Sequence, residues 1–438
     1  MKFWLNCLFV TVFTFLLLGL LGKFLQMNAL NAFDPISAAI GDIEISDIAF
    51  SQLREGEPEP DPNITVVNIG KLGRGEIGDQ IKNIARFRPK IIGIDAIFSC
   101  EVRDSVNCPA AFDPVGNKKF TSAIEEAEKL GIKVVMAEKL HQTDQLKEQY
   151  GDVERYDSLE HSDPELLRNS YEGFVNLITD AEHQEDLKLC REFKPMVMVK
   201  DQPQYAFEVM IAKLYDSAKA EKFLARGNEN EVINYRGNTP DLWGASTYSG
   251  RYQFLDVHEA LDTSSFTPEM IQDKIIIMGY HGENLFDKSW EDKFFTPLNT
   301  KYTGRSRPDM YGVTVHANVV SMIIDEDYID TMPEWITYLM AFLVVFFTSA
   351  IFFLIDRKIP VWFDLLSLVI QFLLFVAASF VMIIVFSYYS YKMELTVILA
   401  GVAVIGTSFE LYKGGAAVLA EFWNEKMAKT SKTEPDTN

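Results

Sequence analysis

Three glycines that could hold a phosphate, Gly73, Gly75 and Gly78, follow an apolar run in the spacing G-x-G-x-x-G. In dinucleotide-binding folds, such glycines let the backbone approach a pyrophosphate at the N-terminus of a helix. Here three residues separate Ile69, the end of the run, from the first glycine, and Glu76 would place a negative charge beside the phosphates. We therefore interpret the glycines as a turn between a strand and a helix, and expect no nucleotide cofactor.

Histidines are the other residues that could do chemistry, and they stand at His141, His161, His183, His258, His281 and His316. None belongs to an H-E-x-x-H or Cys–His metal pattern, and the sequence has no G-x-S-x-G nucleophile elbow. His161 lies among carboxylates that could bind a hard cation weakly, with a solvated acidic loop as the alternative. We therefore expect a protein that is not an enzyme and holds no metal and no cofactor.

Polar residues at the ends of buried strands are the candidates for ligand contact. Asp95 lies in the apolar run KIIGIDAIF, and Tyr280 and His281 follow the run KIIIM. Ligands of open parallel sheets bind at the loops that follow the carboxyl ends of strands. These residues could thus bind an unknown small ligand, or they could only order their loops. His316 would either sense pH near neutrality or serve as a hydrogen-bonded structural residue of an apolar helix.

Cysteines offer a different kind of chemistry. Cys100 and Cys108 flank a short polar loop, whereas Cys7 lies in an apolar segment and Cys190 stands far from the others. In an oxidising compartment, a Cys100–Cys108 disulfide would stabilise the fold by roughly 2 to 3 kcal/mol. The sequence favours this bridge, with free thiols as the alternative.

The elements that must position these residues alternate between strand and helix. ITVVNI and KIIGIDAIF are compact apolar runs, and the stretch DQIKNIARF between them places its apolar residues on one helical face. SAIEEAEKL and IKVVMAEK repeat the order, and the polar, charge-rich residues 142–173 are expected to form an insertion or a lid. Strand–helix–strand units give parallel strands. We therefore predict an α/β domain with a mainly parallel sheet.

Four apolar segments are long enough to span a membrane, since a spanning helix needs about 17 to 25 such residues. They run from Phe3 to Leu21, Trp335 to Ile355, Val361 to Phe386 and Leu395 to Leu411. The first exceeds the roughly 7 to 15 residues of a signal-peptide core, which favours an uncleaved anchor over a cleaved signal. Together the four predict an all-α transmembrane bundle.

Basic flanks orient these segments, because Lys and Arg concentrate on the cytoplasmic side. Lys2 precedes the first segment, Arg357 and Lys358 lie between the second and third, and further lysines follow the fourth. Both termini are therefore expected in the cytoplasm. The predicted domains are an anchor (1–25), an extracytoplasmic domain (26–333), three transmembrane helices (334–412) and a short cytoplasmic tail (413–438).

The net charge of the chain and the small residues of its fourth apolar segment indicate which partners it could bind. The formal net charge of −21 disfavours nucleic acid and anionic lipid surfaces, so no nucleic-acid partner is expected. Gly401 and Gly406 give the fourth apolar segment a small-residue face suited to close helix packing. That face could pack within the bundle, against another protein or in a homo-oligomer.

Six stretches carry a family resemblance by their order along the chain: PDPNITVVNI, RPKIIGIDAIFS, EGFVNLITD, VINYRG, DKIIIMGY with FFTPL, and YGVTVHANVVSMI. This order, followed by three closely spaced apolar segments, resembles the type-two CHASE sensory domain over residues 24–412. The resemblance implies an extracytoplasmic sensor of the kind associated with bacterial adenylate cyclases, histidine kinases and serine/threonine kinases. It also implies a location in the bacterial inner membrane.

Single residues can also be compared with the pattern of the family. Asp95 looks like the acidic residue that ends the second strand of the family, whereas Asn68 stands where relatives usually have Asp. Gly312, His316, Ala317 and Asn318 match the pattern G-V-x-x-H-A-N.

The 27 residues after the fourth apolar segment are too few for a catalytic output domain. We therefore expect a relay to a separate signalling partner. An envelope scaffold or assembly subunit that binds another protein is the alternative.

Overall fold

The computed structural model describes residues 2–25, 59–99, 113–143, 146, 156–179, 189–300 and 307–431. The chain divides into two compact units, which are residues 47–329 and residues 1–46 with 330–438. Cys100 and Cys108 lie outside the described residues, so their pairing stays a prediction.

The strands of the described residues are β1 (Ile64–Asn68), β2 (Ile91–Asp95), β3 (Lys133–His141), β4 (Ser158–Glu160), β5 (Tyr171–Phe174), β6 (Glu192–Phe193), β7 (Met196–Val199), β8 (Gln202–Tyr205), β9 (Glu231–Val232), β10 (Gln253–Leu255), β11 (Ile275–Gly279), β12 (Lys293–Phe294), β13 (Met310–Tyr311), β14 (Asp330–Thr331) and β15 (Tyr391–Lys392). Their helices are α1 (Lys2–Leu25), α2 (Arg74–Ala85), α3 (Pro114–Lys129), α4 (Phe207–Tyr215), α5 (Ser217–Leu224), α6 (Val257–Leu261), α7 (Pro268–Ile271), α8 (Gly312–Asp325), α9 (Glu334–Lys358), α10 (Phe363–Tyr389) and α11 (Thr396–Ser431), with a 3₁₀ turn at Pro360–Trp362.

A seven-stranded sheet forms the centre of the 47–329 unit, in the order β10-β1-β11-β2-β3-β4, with β5 also paired to β3. All its pairs are parallel except β3 with β4. β1 and β11 are buried along their whole length, as expected for apolar runs covered on both faces. The predicted α/β domain is confirmed. Its sheet is mixed, because the pair of β3 with β4 is antiparallel.

Helices cover the sheet, and two glycines of the G-x-G-x-x-G stretch let α2 and α3 pack closely. A Cβ on Gly75 would lie 3.0 Å from the Cα of Gly116, and one on Gly78 would lie 2.9 Å from the backbone of Phe120. Only Gly73 precedes the helix, as its N-cap residue. The interpretation of all three glycines as a turn was therefore wrong for two of them, which serve helix–helix contact.

Helix α8 is buried on nearly every side, since every residue from Gly312 to Ile324 is buried. Its Asn318 accepts hydrogen bonds from the backbone N–H of Arg236 (2.8 Å) and donates to the carbonyl of Gly237 (2.9 Å). The helix is therefore fixed to the backbone of the neighbouring segment by the Asn318 side chain as well as by apolar burial.

Among its described residues, the other unit contains four helices long and apolar enough to cross a membrane, over Lys2–Lys23, Glu334–Lys358, Pro360–Tyr389 and Thr396–Gly415. Each of the four predicted spans falls on one of these helices, with starts that agree to within one residue and ends that agree to within four. Val345, Phe352 and Phe409 belong to a buried apolar cluster in this unit. These features indicate a membrane protein.

The glycines of the last helix lie against its neighbours. A Cβ on Gly401 would lie 2.8 Å from a methyl group of Val345 on α9, and one on Gly406 would overlap the side chain of Gln371 on α10. In this structure, the small-residue face is thus used for packing within the helical unit.

Candidate functional site

Three central strands of the sheet end at the same level. Asn68 of β1 lies beside Gly279 of β11, and Gly279 lies beside Asp95 of β2. A Cβ on Gly279 would lie 2.8 Å from the Cβ of Val313 and 3.2 Å from that of Asp95. The absence of a side chain at Gly279 therefore lets the first turn of α8 approach the carboxyl end of the sheet.

His316 lies on α8, between two carboxylates from other elements. Its Nδ1 is 2.5 Å from Oε1 of Glu208 on α4, and its Nε2 is 3.7 Å from Oδ2 of Asp95. The side chains of His316 and Glu208 are almost completely buried, and that of Asp95 is 14% exposed. We name Asp95, Glu208 and His316 the acid–histidine cluster.

The charge state of the cluster follows from burial and proximity. Burial disfavours the imidazolium, but the charges of Glu208 and Asp95 and the hydrogen bond to Glu208 outweigh it and raise the pKa of His316 to about 9. Burial also raises the pKa of Asp95, which the charge of His316 partly offsets. A histidine of pKa about 9 is protonated at neutral pH, which fits a hydrogen-bonded structural ion pair.

A cavity of about 480 Å³ opens beside the acid–histidine cluster, at the carboxyl ends of β2, β3 and β5 and the first turn of α8. Its lining residues are Asp95, Ala96, Ile97, Lys139, Val175, Asn176, Leu177, Thr179, Asp292, Phe294, Gly312 and His316. Volumes of about 300 to 1,000 Å³ are usual for small-molecule sites. The lining combines carboxylates, a lysine, an amide and a hydroxyl with apolar side chains, so it can both donate and accept hydrogen bonds.

His281 lies elsewhere, in the wall of a separate small pocket of about 20 Å³. Its ring is 4.1 Å from that of Tyr311 and 4.5 Å from that of Phe254, and its Nε2 is 2.7 Å from Oγ1 of Thr239. Burial lowers its pKa to about 3, so the ring is neutral at physiological pH. A pocket of this size holds about one water molecule.

Tyr280 has its hydroxyl 3.2 Å from Oε2 of Glu291, where burial and the neighbouring carboxylates raise its pKa. The structure thus brings Asp95 and His316 together at the 480 Å³ cavity. Tyr280 and His281 are outside its lining.

Asn68, the position where the family resemblance suggests Asp, orders loops. Its Oδ1 accepts hydrogen bonds from the backbone N–H of Gly70 (2.8 Å) and His281 (2.9 Å). Its Nδ2 donates to Oδ1 of Asp256 (2.9 Å), which caps α6. An ionised Asp could not make that donation, so the amide matches the carboxylate partner that this chain supplies.

Sequence reasoning missed Glu208 and several residues of the cavity wall. Glu208 is an acid within the apolar stretch YAFEVMIAKLYD, and it is 2% exposed. An acid at a buried helical position implies a nearby partner, which is the signal that could have found it. The sequence gives no such signal for Lys139 and Asn176. Their place in the cavity wall depends on which strands are neighbours in the sheet.

The described residues combine an α/β domain, which has a polar cavity beside its strand ends, with four apolar helices, and so define a membrane protein with a separate α/β domain. The model of the CHASE2 domain matches residues 10–351 of this sequence, and the chain therefore belongs to the CHASE2 domain family. This is a family of extracellular sensory rather than catalytic domains. The resemblance inferred from the six sequence stretches is thereby confirmed. No curated protein and no solved structure matches the chain.

Proposed function

We propose that the protein is an inner-membrane sensor that binds a small polar ligand in the 480 Å³ cavity and relays occupancy through its apolar helices to a separate protein. The observation that carries the proposal is the cavity itself, because it joins strand ends to the first turn of α8. The proposed topology has both termini in the cytoplasm and the 47–329 unit outside it.

The chemistry of the lining defines the class of ligand. Asp95 and Asp292 offer carboxylates, Lys139 offers an ammonium group, and Asn176 and Thr179 offer neutral hydrogen-bonding groups. Such a wall complements a small molecule that carries both donors and acceptors, with an amine or hydroxyl facing the carboxylates. A purely apolar ligand would leave these groups without partners, at a cost in affinity.

The relay follows from the position of α8. Gly312 lies in the cavity wall, the helix continues to Asp325, and residues 326–333 connect it to α9. A ligand that contacts Asp95 or Nε2 of His316 acts on the first turns of a fully buried helix. Such a ligand can shift the equilibrium between two arrangements of the helix only if it binds one of them more tightly than the other.

A stability screen tests the binding step. We expect one chemical class in a panel of amino acids, sugars, dicarboxylates and polyamines to raise the unfolding temperature of the full chain in detergent. Asp95→Asn should weaken that response at least tenfold in ligand concentration, because it removes a carboxylate from the cavity wall. Asp79→Asn is the control, since its carboxylate pairs with Lys119 on the outside of α2 and α3.

Two results would count against the proposal. A panel without any stabilising compound would remove the support for a small ligand, and stable co-purification of an envelope protein would then favour the scaffold alternative. An equal response from wild type and Asp95→Asn would indicate that the ligand binds outside this cavity.

A further inference from the structure

Three side chains from three adjacent segments of the sheet converge on one point outside the cavity. Glu138 lies in β3, Glu172 lies in β5, and His161 directly follows β4. The pairing of Met136 with Glu172 places Glu138 diagonally across from Glu172 on the same face, and the pairing of Lys139 with Glu160 brings His161 level with Glu138. Strand register therefore builds this juxtaposition.

The distances are short enough for a shared ligand. Nδ1 of His161 is 2.8 Å from Oε1 of Glu172 and 3.3 Å from Oε2 of Glu138. One nitrogen and two oxygen atoms of the three residues all lie within 4.8 Å of one another. Ligands at about 2.1 Å from a tetrahedral ion are separated by about 3.4 Å, so small side-chain rotations would admit one.

Glu138 is the residue that makes this cluster more than a surface group of acids. Its side chain is 4% exposed, and within the described part of the chain its only ion-pair partner is His161. Burial, together with the charge of Glu172, raises its pKa to about 7 against the opposing effect of His161. A buried carboxylate beside a second carboxylate is costly unless a cation compensates it.

We propose that Glu138, His161 and Glu172 form a binding site for a divalent transition-metal ion of the Zn²⁺ type. One imidazole nitrogen with two carboxylate oxygens is a mixed donor set that suits Zn²⁺, whereas Ca²⁺ takes six to eight oxygen ligands. His161 coordinates through Nδ1, which leaves Nε2 to carry the proton. Three protein ligands leave at least one position of the ion for water.

The ion would tie three strand segments together beside the cavity wall. Lys139 directly follows Glu138, and residues 175–179, which directly follow β5, contribute Val175, Asn176, Leu177 and Thr179 to the cavity. A metal that fixes β3 against β5 therefore fixes two walls of the cavity. The site stands on its own geometry and does not depend on the proposed ligand.

Metal content measured on the full chain in detergent, without a polyhistidine tag, tests the site. After dialysis against buffered Zn²⁺, we expect one Zn²⁺ per chain in the wild type. Glu138→Gln, His161→Gln and Glu172→Gln should each lower the affinity at least tenfold, because even the loss of a residue that only hydrogen-bonds a metal ligand costs about 10- to 100-fold. Ca²⁺ at a thousandfold excess should not displace the Zn²⁺.

His141→Gln is the matched control. His141 resembles His161 in exposure and in having a carboxylate neighbour. Its side chain is 45% exposed against 43% for His161, and its Nε2 is 2.8 Å from a carboxylate oxygen of Glu160. It lacks the second, buried carboxylate, so its substitution should leave Zn²⁺ binding unchanged.

Three results would overturn the site: no bound Zn²⁺ in the wild type, equal binding by the three ligand variants, or an equal loss in His141→Gln. Misfolding is separated from ligand loss by the unfolding temperature in EDTA. Glu138→Gln keeps the side-chain volume and removes a buried charge, so in EDTA it should unfold at or above the temperature of the wild type.

Discussion

The acid–histidine cluster predicts how the stability of the 47–329 unit depends on pH. Glu208 and Asp95, with a smaller contribution from Asp292, raise the pKa of His316 from 6.5 to about 9. A raised pKa in the folded state stabilises the protein below the unfolded value, and this contribution is lost as the pH rises through the folded value. The free energy of unfolding should therefore fall between pH 6.5 and pH 9.

The size of the fall follows from the shift. A difference of about 2.5 pH units corresponds to about 3 kcal/mol, and the 3% exposure of the His316 side chain leaves little screening by solvent. Burial raises the pKa of Asp95 as well, which gives a pH dependence of the same sign. Glu138 and Asp309 both have a pKa of about 7. Their contributions to the free energy of unfolding are therefore lost mainly below the range of pH 6.5 to 9 in which His316 acts.

Pulse proteolysis in a urea series measures this free energy on the full chain at pH 6.5, 8 and 9.5. His316→Gln should flatten the dependence by about 3 kcal/mol relative to the wild type, because an amide does not titrate. His258→Gln changes an exposed histidine on α6 and should leave the wild-type slope in place. Parallel curves for the wild type and His316→Gln would refute the assignment of a charged His316 between two carboxylates.

Four further predictions concern the strand ends, the loops, the disulfide and the topology. Gly279→Ala should destabilise the unit by roughly 1 to 3 kcal/mol in the same assay, because its Cβ would overlap helix α8; an unchanged midpoint would contradict the close approach. Asn68→Asp should destabilise it by about 1 to 3 kcal/mol at pH 7, with recovery near pH 4, because the new carboxylate would face Asp256 at about the present 2.9 Å; a pH-independent loss would indicate a different cause. Peptide mapping of the oxidised chain should yield a Cys100–Cys108 bridge, which full alkylation without reductant would rule out. A reporter in the loop between the third and fourth apolar helices should read outside the cytoplasm, and an inside signal would contradict the four-span topology.

Much of the fold could be predicted because the determinants are local. Ile64–Asn68, Ile91–Asp95 and Ile275–Gly279 are short, largely apolar runs, and such runs specify strands covered on both faces. The apolar helices follow from length and composition alone. Local pattern does not give strand order, so the insertion of β11 between β1 and β2 could not be foreseen.

The candidate site was predictable only in part, for the same reason. Asp95 was expected at a strand end and His316 on an apolar helix, but nothing local joins His316 to Glu208, which is 108 residues away. The glycine spacing misled because Gly75 and Gly78 serve a helix contact that sequence spacing does not reveal. Strand register likewise decides that Glu138, His161 and Glu172 meet.

The central claim, an extracytoplasmic cavity that binds a ligand, is tested most directly by labelling Thr179→Cys with a membrane-impermeant maleimide on intact cells. Thr179 lies in the cavity wall and is partly accessible. We expect labelling above that of the parent chain before lysis, and at least fivefold slower labelling when the stabilising compound from the ligand panel is present. Labelling only after lysis, or at a rate that the compound does not change, would contradict the account.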